Sequence, residues 1–207
     1  VDAAQALVFN YTILGTIMKL IGSTTSPYVR RLLMWMKDFQ YDFEKVDIFN
    51  SADRAKLVEK NPSLKIPMLE DGDTIVLDSG VIFRYLSQKA SLPSLSWEQE
   101  NLLTLIDSAN DSLVQIFLLS RSDIDTSADK LYFRLQRERF DVIFGELNKA
   151  AEQGKFDEWN YASLSLFCLL DWVEFRARYD FSKLPALVAF HAEHATREEA
   201  KASDPRL

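Results

Sequence analysis

Lys19-Leu20-Ile21-Gly22-Ser23-Thr24-Thr25-Ser26-Pro27-Tyr28-Val29-Arg30 passes from an apolar, strand-like run into the start of a helix. Lys19–Gly22 reads as a short buried strand. Pro27 suits a first helical turn because it has no N–H to leave unsatisfied there. The hydroxyl residue directly before it is a natural N-cap. From Pro27 to Phe39, the residues Val29, Leu32, Leu33 and Met36 recur at helical spacing. Arg30, Arg31 and Lys37 fall mainly off that face. Hydroxyls at such a strand-to-helix turn also suit an anion, or a thiol losing its proton.

Working outward, Tyr41–Val46 alternates in part and reads as a second strand. A helix over Ala52–Lys60 follows, ended by Asn61-Pro62. Pro67–Glu70 and Thr74–Leu77 are apolar runs joined by Asp71-Gly72-Asp73, a hairpin signal. Ser79 is expected to cap a helix running through Phe83, Leu86 and Gln88. The order is β-α-β-α-β-β-α, with a parallel first crossover and an antiparallel hairpin at the end. Ala90–Ser96 has linker composition. Beyond it only helical patterns occur, over Trp97–Ser120, Ala128–Gln153, Tyr161–Arg176 and Leu184–His194. Tyr161–Leu170 is apolar almost all round, as befits the centre of a bundle. The predicted class is α+β: a small mixed domain at 18–90, a linker at 91–96 and an all-helical domain at 97–207. Met18 looks like a natural start, so residues 1–17 read as a leader segment.

The chain has 207 residues, 47% of them hydrophobic, and a net charge of −7. That charge, with no dense Lys/Arg cluster, argues against nucleic acid as the main partner. The single cysteine, Cys168, rules out an internal disulfide and a cysteine-based metal cluster, and suits a reducing compartment. With only His191 and His194 besides, no metal is expected. No uninterrupted apolar run reaches the ~20 residues that span a bilayer, so no membrane partner is expected; Val1–Ile17 has no basic residue ahead of its apolar part and does not read as a signal peptide.

Ser26-Pro27-Tyr28, Lys65-Ile66-Pro67 and Asp78-Ser79, on these elements, resemble the cytosolic glutathione transferases. The likeness is greatest to bacterial members with an STTSPYVR-like first loop, and it extends from Met18 to about Pro185. It implies a thioredoxin-like first domain and a glutathione S-transferase activity toward small hydrophobic electrophiles. Glutathione would be the co-substrate, and a cytoplasmic homodimer the usual form. Ser26 stands where glutaredoxins and omega-type transferases carry cysteine, and where tau-type enzymes carry a catalytic serine. Its hydroxyl would hold the thiolate, with Thr25 and Thr24 as rivals. Pro67 would be cis, and the Ile66 backbone would pair with the peptide as an added strand. Asp78 and Ser79 would hold the γ-glutamyl ammonium and carboxylate. Lys65 and Arg54 are candidates for the glycyl carboxylate. Relatives often have Glu at the Asp78 position, and usually open the central helix with Ser/Thr-x-x-Asp; here Asn160–Ser163 replaces that box.

Other residues have ordinary explanations. Cys168 reads as an inert core thiol. Asp107 and Asp111 lie at i and i+4 on one helix. Tyr28, Tyr132, Trp172 and Phe175 are candidates for a second-substrate pocket, with core or interface as the plainer reading. Two other functions remain open: a glutathione-dependent disulfide reductase or peroxidase, and a non-catalytic protein-binding module with a transferase-like fold.

Overall fold

The computed structural model describes residues 17–207. The leader reading of residues 1–17 therefore lies outside the described residues, apart from Ile17. The chain divides into two compact units between Leu92 and Pro93.

The first unit is built on a four-stranded sheet. Its strands are β1 (Met18–Gly22), β2 (Tyr41–Lys45), β3 (Met68–Asp71) and β4 (Thr74–Leu77). They lie in the order β2-β1-β3-β4. β1 runs parallel to β2 and antiparallel to β3, and β3–β4 is the expected hairpin. The helices are α1 (Pro27–Trp35), α2 (Ser51–Lys60) and α3 (Ser79–Lys89). The element order is βαβαββα, as read from the sequence, and the fold is thioredoxin-like.

β1 occupies the centre because its apolar pair, Leu20 and Ile21, is buried. Gly22 ends the strand under α1, where a Cβ would come within 2.5 Å of a Val29 methyl carbon. Only glycine lets the helix approach that closely. The peripheral helix α2 buries little besides Leu57, which joins a small cluster with Ile21, Val46 and Met68.

Two expectations for α1 need correction. The helix stops at Trp35, with Met36 as its C-cap, rather than at Phe39. The apolar pattern continues because Trp35 and Phe39 pack together beyond the helix end, centroids 5.2 Å apart, with Phe83 edge-on to Trp35 at 5.0 Å. Arg30 and Arg31 are buried rather than off the packed face. A nine-residue helix lying on the sheet and against α3 leaves little circumference for solvent, so the long arginine stems pack inside. The Arg31 guanidinium lies 5.2 Å from the Tyr28 ring centroid.

The hairpin is tied to α3 by Asp71, which accepts hydrogen bonds from the Tyr85 hydroxyl (2.6 Å) and from Lys89. Burial pushes the Asp71 carboxyl up. The bonds from Lys89 and Tyr85 outweigh this and hold it below its ordinary value.

The second unit is entirely helical: α4 (Trp97–Arg121), α5 (Leu131–Glu152), α6 (Tyr161–Phe175), α7 (Pro185–His194) and α8 (Glu198–Ala202). α4 opens with a complete capping box between Ser96 and Gln99. Among the described helices it is the one long and apolar enough by composition to cross a membrane. Its Leu102, Leu103, Ile106, Ala109 and Leu113 are instead buried. α6 is the central helix, with every residue from Tyr161 to Val173 buried. Asn160 caps it, accepting from the N–H groups of Ala162 (2.9 Å) and Ser163 (3.2 Å). The Ser163 hydroxyl donates to the Glu158 carbonyl, so two side chains close this turn despite the missing acidic residue.

α8 has no counterpart in the sequence reading. Its five residues are too few for a period, and it is held from outside. Trp159 Nε1 donates to Glu199 at 3.1 Å, while Arg197 lies over the Trp159 ring at 4.3 Å.

His194 is buried at the end of α7, stacked on Trp159 with centroids 4.3 Å apart. Burial, the largest cause, lowers its pKa from the ordinary 6.5. The unfolded chain then takes up a proton at a higher pH than the folded one, so this residue's contribution is present above pH 6.5 and declines as the pH falls through the folded-state value. Replacing His194 with phenylalanine should flatten the loss of stability between about pH 7 and pH 5, measured by urea unfolding at each pH. An unchanged slope would remove His194 from the acid response.

Candidate functional site

Strand register brings the three motif segments together. Ile21 faces Met68, and Met68 faces Leu77. The chain leaving β1 (Ser23–Ser26), the chain entering β3 (Lys65–Pro67) and the chain leaving β4 (Asp78–Ser79) therefore lie at one end of the sheet. Neighbouring strands are ~4.8 Å apart, so β1 to β4 spans ~10 Å there.

The first segment is a tight turn, with the Ser26 N–H donating to the Ser23 carbonyl at 3.0 Å. Ser26 is the N-cap of α1 in extended conformation, and its Oγ accepts from the Val29 N–H at 3.4 Å. That bond is long, and it uses the oxygen rather than the hydroxyl proton. The Thr25 hydroxyl is engaged locally with Ser23 Oγ at 3.1 Å. Thr24 is half-buried in the same turn.

The second segment contains a cis Ile66–Pro67 peptide bond, as the family resemblance implied. Sequence reasoning overlooked the residue that shapes it. In the sequence, Asn61 marks only a helix stop. It is fully buried, and its Nδ2 donates to the Lys65 carbonyl at 2.6 Å. Its Oδ1 accepts from the Ser63 N–H (2.9 Å) and the Ser63 hydroxyl (2.6 Å). One side chain thus organises the loop up to the proline, including Leu64 at φ +54°. An Asn directly before Pro at a helix end was the available signal. The Lys65 and Arg54 side chains are exposed, Arg54 on α2.

At the third segment the capping roles differ from expectation. Asp78, not Ser79, is the N-cap of α3, and its Oδ1 accepts from the Gly80 (2.9 Å) and Val81 (3.2 Å) N–H groups. Ser79 is the first helical residue and is buried. An aspartate carboxylate outcompetes a serine hydroxyl for helix N–H groups because the bonds are charge-assisted. Asp78 sits at φ +73°, ψ 139°, a region costly for a residue with a Cβ. Its second carboxylate oxygen is left for another partner on an exposed residue.

The remaining candidates fall elsewhere. Cys168 is fully buried in α6. His191 Nε2 lies 3.2 Å from Asp171 Oδ1. That partner is twenty residues away in sequence, beyond any spacing rule. Asp171, Glu174 and His191 come close enough together for a metal. Arg206, however, reaches Asp171 at 3.0 Å and Glu174 at 3.3 Å, so a guanidinium already neutralises both carboxylates. Trp172 is buried, Phe175 half-buried, and the Tyr132 hydroxyl donates to Gln115 at 2.6 Å. Tyr28 and Asp107 are half-buried, and Asp111 is exposed.

The first unit is thus a thioredoxin-like domain with a hydroxyl at the first helix cap and a cis-proline at the entry to β3, and a helical unit follows it in the chain. The profile of the family "Glutathione S-transferase, N-terminal domain" matches residues 20–94. The uncharacterized GST-like protein YibF of Escherichia coli is 28% identical over 172 residues, 77% of this chain and 83% of that protein. A glutathione S-transferase of Hyoscyamus muticus is 28% identical over 57% of this chain and 55% of its own length. Among solved structures, a Methylobacillus flagellatus glutathione S-transferase with glutathione bound has a TM-score of 0.78 at 22% identity, over 91% of this chain and 99% of that one. A Pseudomonas fluorescens family member with bound glutathione has a TM-score of 0.79 at 22% identity, over 92% and 100%. Residues 20–94 thus form a glutathione S-transferase N-terminal domain, and the chain as a whole is similar to glutathione S-transferases.

Proposed function

We propose that the protein binds glutathione at this end of the first unit's sheet and transfers its thiolate to small hydrophobic electrophiles. The observation that carries the reading is the convergence of a serine N-cap, a cis-proline edge and a capping aspartate across three neighbouring strand ends. An extended tripeptide spans ~10 Å, which suits the β1-to-β4 distance. Glutathione would lie along the Ile66 edge as an added strand. Its γ-glutamyl ammonium would face the outer oxygen of Asp78, and its carboxylate would meet Ser79. Lys65 or Arg54 would answer the glycyl carboxylate.

The chemistry follows from the thiol. Free, it has a pKa of ~8.5 and is only a few per cent ionised at neutral pH. The Ser26 hydroxyl would donate a hydrogen bond to the sulfur and α1 would add its N-terminal dipole, both favouring the anion, with the thiol proton released to solvent. The thiolate then attacks an electrophilic carbon, and the leaving group departs with the electron pair. Serine at position 26 disfavours redox exchange through the protein, which would need a thiol there. On this reading residues 18–90 hold glutathione. A cytoplasmic homodimer is part of the proposal, and the single buried cysteine suits a reducing compartment.

Calorimetric titration with glutathione and an assay with an activated aryl halide test it. A dissociation constant between ~1 μM and ~1 mM with conjugation is expected. No heat of binding at tens of millimolar would end the reading. Asp78→Asn keeps the cap acceptor but loses the charge. It should weaken glutathione about fivefold to tenfold with little change in unfolding temperature. Equal affinity in the variant would remove Asp78 from the ligand.

A further inference from the structure

The helical unit contains a cluster of cations outside the site described above. The guanidinium carbons of Arg121, Arg176 and Arg178 lie 5.8, 5.0 and 5.2 Å from the centroid of one ring, Phe117. Phe117 is itself fixed edge-on against buried Trp172, centroids 5.8 Å apart at 81°. We propose that Arg176 and Arg178, with Arg121 beside them, bind the compact oxyanion group (carboxylate, sulfonate or phosphate) of a small organic ligand.

Like charges gather on one ring only when something offsets their repulsion. Cation–π attraction supplies part of it. Arg176 shows the remaining imbalance. Burial, then the charges of Arg121 and Arg178, depresses its proton affinity from the ordinary value. Among the described residues, the buried Nε atoms of Arg176 and Arg178 meet no hydrogen-bond acceptor. Buried donors of this kind normally have one, and an oxyanion supplies several acceptors in the geometry a guanidinium fork prefers. Of the two acids nearest in sequence, Glu174 is drawn to Arg206 at 3.3 Å, and Asp180 accepts from the Ser182 N–H at 2.9 Å.

The plainer explanation is that arginines favour helix C-termini. Arg121 ends α4 and Arg176 caps α6. Each terminus presents about half a negative charge, so the two together supply roughly one. Arg176 and Arg178 alone bring two positive charges, and Arg178 lies beyond the helix. A positive surplus remains.

The site lies within the second unit and does not depend on the glutathione reading. The test follows the unfolding midpoint of the full chain against inorganic phosphate and against benzenesulfonate, at constant ionic strength. Wild type, Arg178→Gln and Arg176→Gln/Arg178→Gln are compared. A concentration-dependent rise in wild type is expected, with about tenfold or greater weakening of the apparent affinity in the double variant. Protection by both probes identifies the oxyanion itself as the recognised group, and protection by benzenesulfonate alone identifies an aryl-borne anion. Without anion, Arg178→Gln should be no less stable than wild type, since a like charge is removed. Should the double variant fail to fold, Arg178→Gln gives the same comparison. No protection of wild type by either probe, or undiminished protection of the variants, overturns the proposal.

Discussion

Replacing Ser26 by alanine is expected to lower aryl-halide conjugation about 10- to 100-fold near pH 7, the cost of one hydrogen bond to a charged sulfur. Two effects of this substitution must be separated. Ser26 is also an N-cap, and losing a cap costs ~0.5–2 kcal/mol of stability. Its bond to the Val29 N–H is 3.4 Å long, which places the cost toward the low end. Unfolding should therefore shift by only a few degrees while activity falls steeply. The pH profile makes the distinction sharper. If Ser26 stabilises the thiolate, its loss raises the thiol pKa toward ~8.5, so the deficit is greatest near pH 6 and shrinks by about pH 9, where glutathione ionises unaided. A deficit equal at all pH values would mean that Ser26 only positions the peptide. Conjugation left intact would shift the role to Thr24 or Thr25, and the Ser23–Thr25 hydrogen bond makes Thr25 the less available of these.

The order of elements was legible because each depends on local signals. Asp-Gly marked the hairpin, Pro27 and Asn61-Pro62 bounded helices, and Leu20-Ile21 marked the central strand. The cis-proline followed from family resemblance and not from the residues themselves. What escaped was set by tertiary packing. The end of α1 was overextended because Phe39 continues the apolar period while packing on Trp35 from outside the helix. Arg30 and Arg31 seemed solvent-facing by type, yet both are buried. α8 exists through Trp159, forty residues earlier than its partner Glu199.

The candidate site was legible as three short motifs, and sheet register explains why they meet. Their internal wiring was not legible. Asp78 and Ser79 are adjacent, and either could cap; only the backbone conformation at Asp78 decides which carboxylate oxygen faces the helix. Arg121, Arg176 and Arg178 are separated by up to 57 positions, and nothing local links them to Phe117. Asn61 is the most instructive omission, because its sequence context explains the helix stop so well that a second role goes unnoticed.

Asn61→Ala should be the most destabilising single change around this site. The side chain makes three hydrogen bonds, all to the Ser63–Lys65 loop, and it is fully buried. A net hydrogen bond contributes ~0.5–1.5 kcal/mol, and an unsatisfied buried group costs ~1–3 kcal/mol more. The Ser63 groups can turn to water, since that residue is exposed, so only the Lys65 carbonyl risks being stranded. The sum is ~2–4 kcal/mol, readable as a lower urea midpoint at unchanged slope. The functional effect should exceed what stability predicts. The loop leads directly into Ile66, whose backbone is the proposed docking edge, so loosening it adds an ordering cost to glutathione binding. Asn61→Asp separates the contributions. It keeps the acceptor for Ser63 but replaces the Nδ2 donor with an oxygen facing the Lys65 carbonyl, so it should be at least as harmful as alanine. If Asn61→Asp proved milder than alanine, the donor to Lys65 would not be what holds the loop. If both variants bound glutathione as tightly as wild type at temperatures where they remain folded, the loop would play no part in holding the peptide.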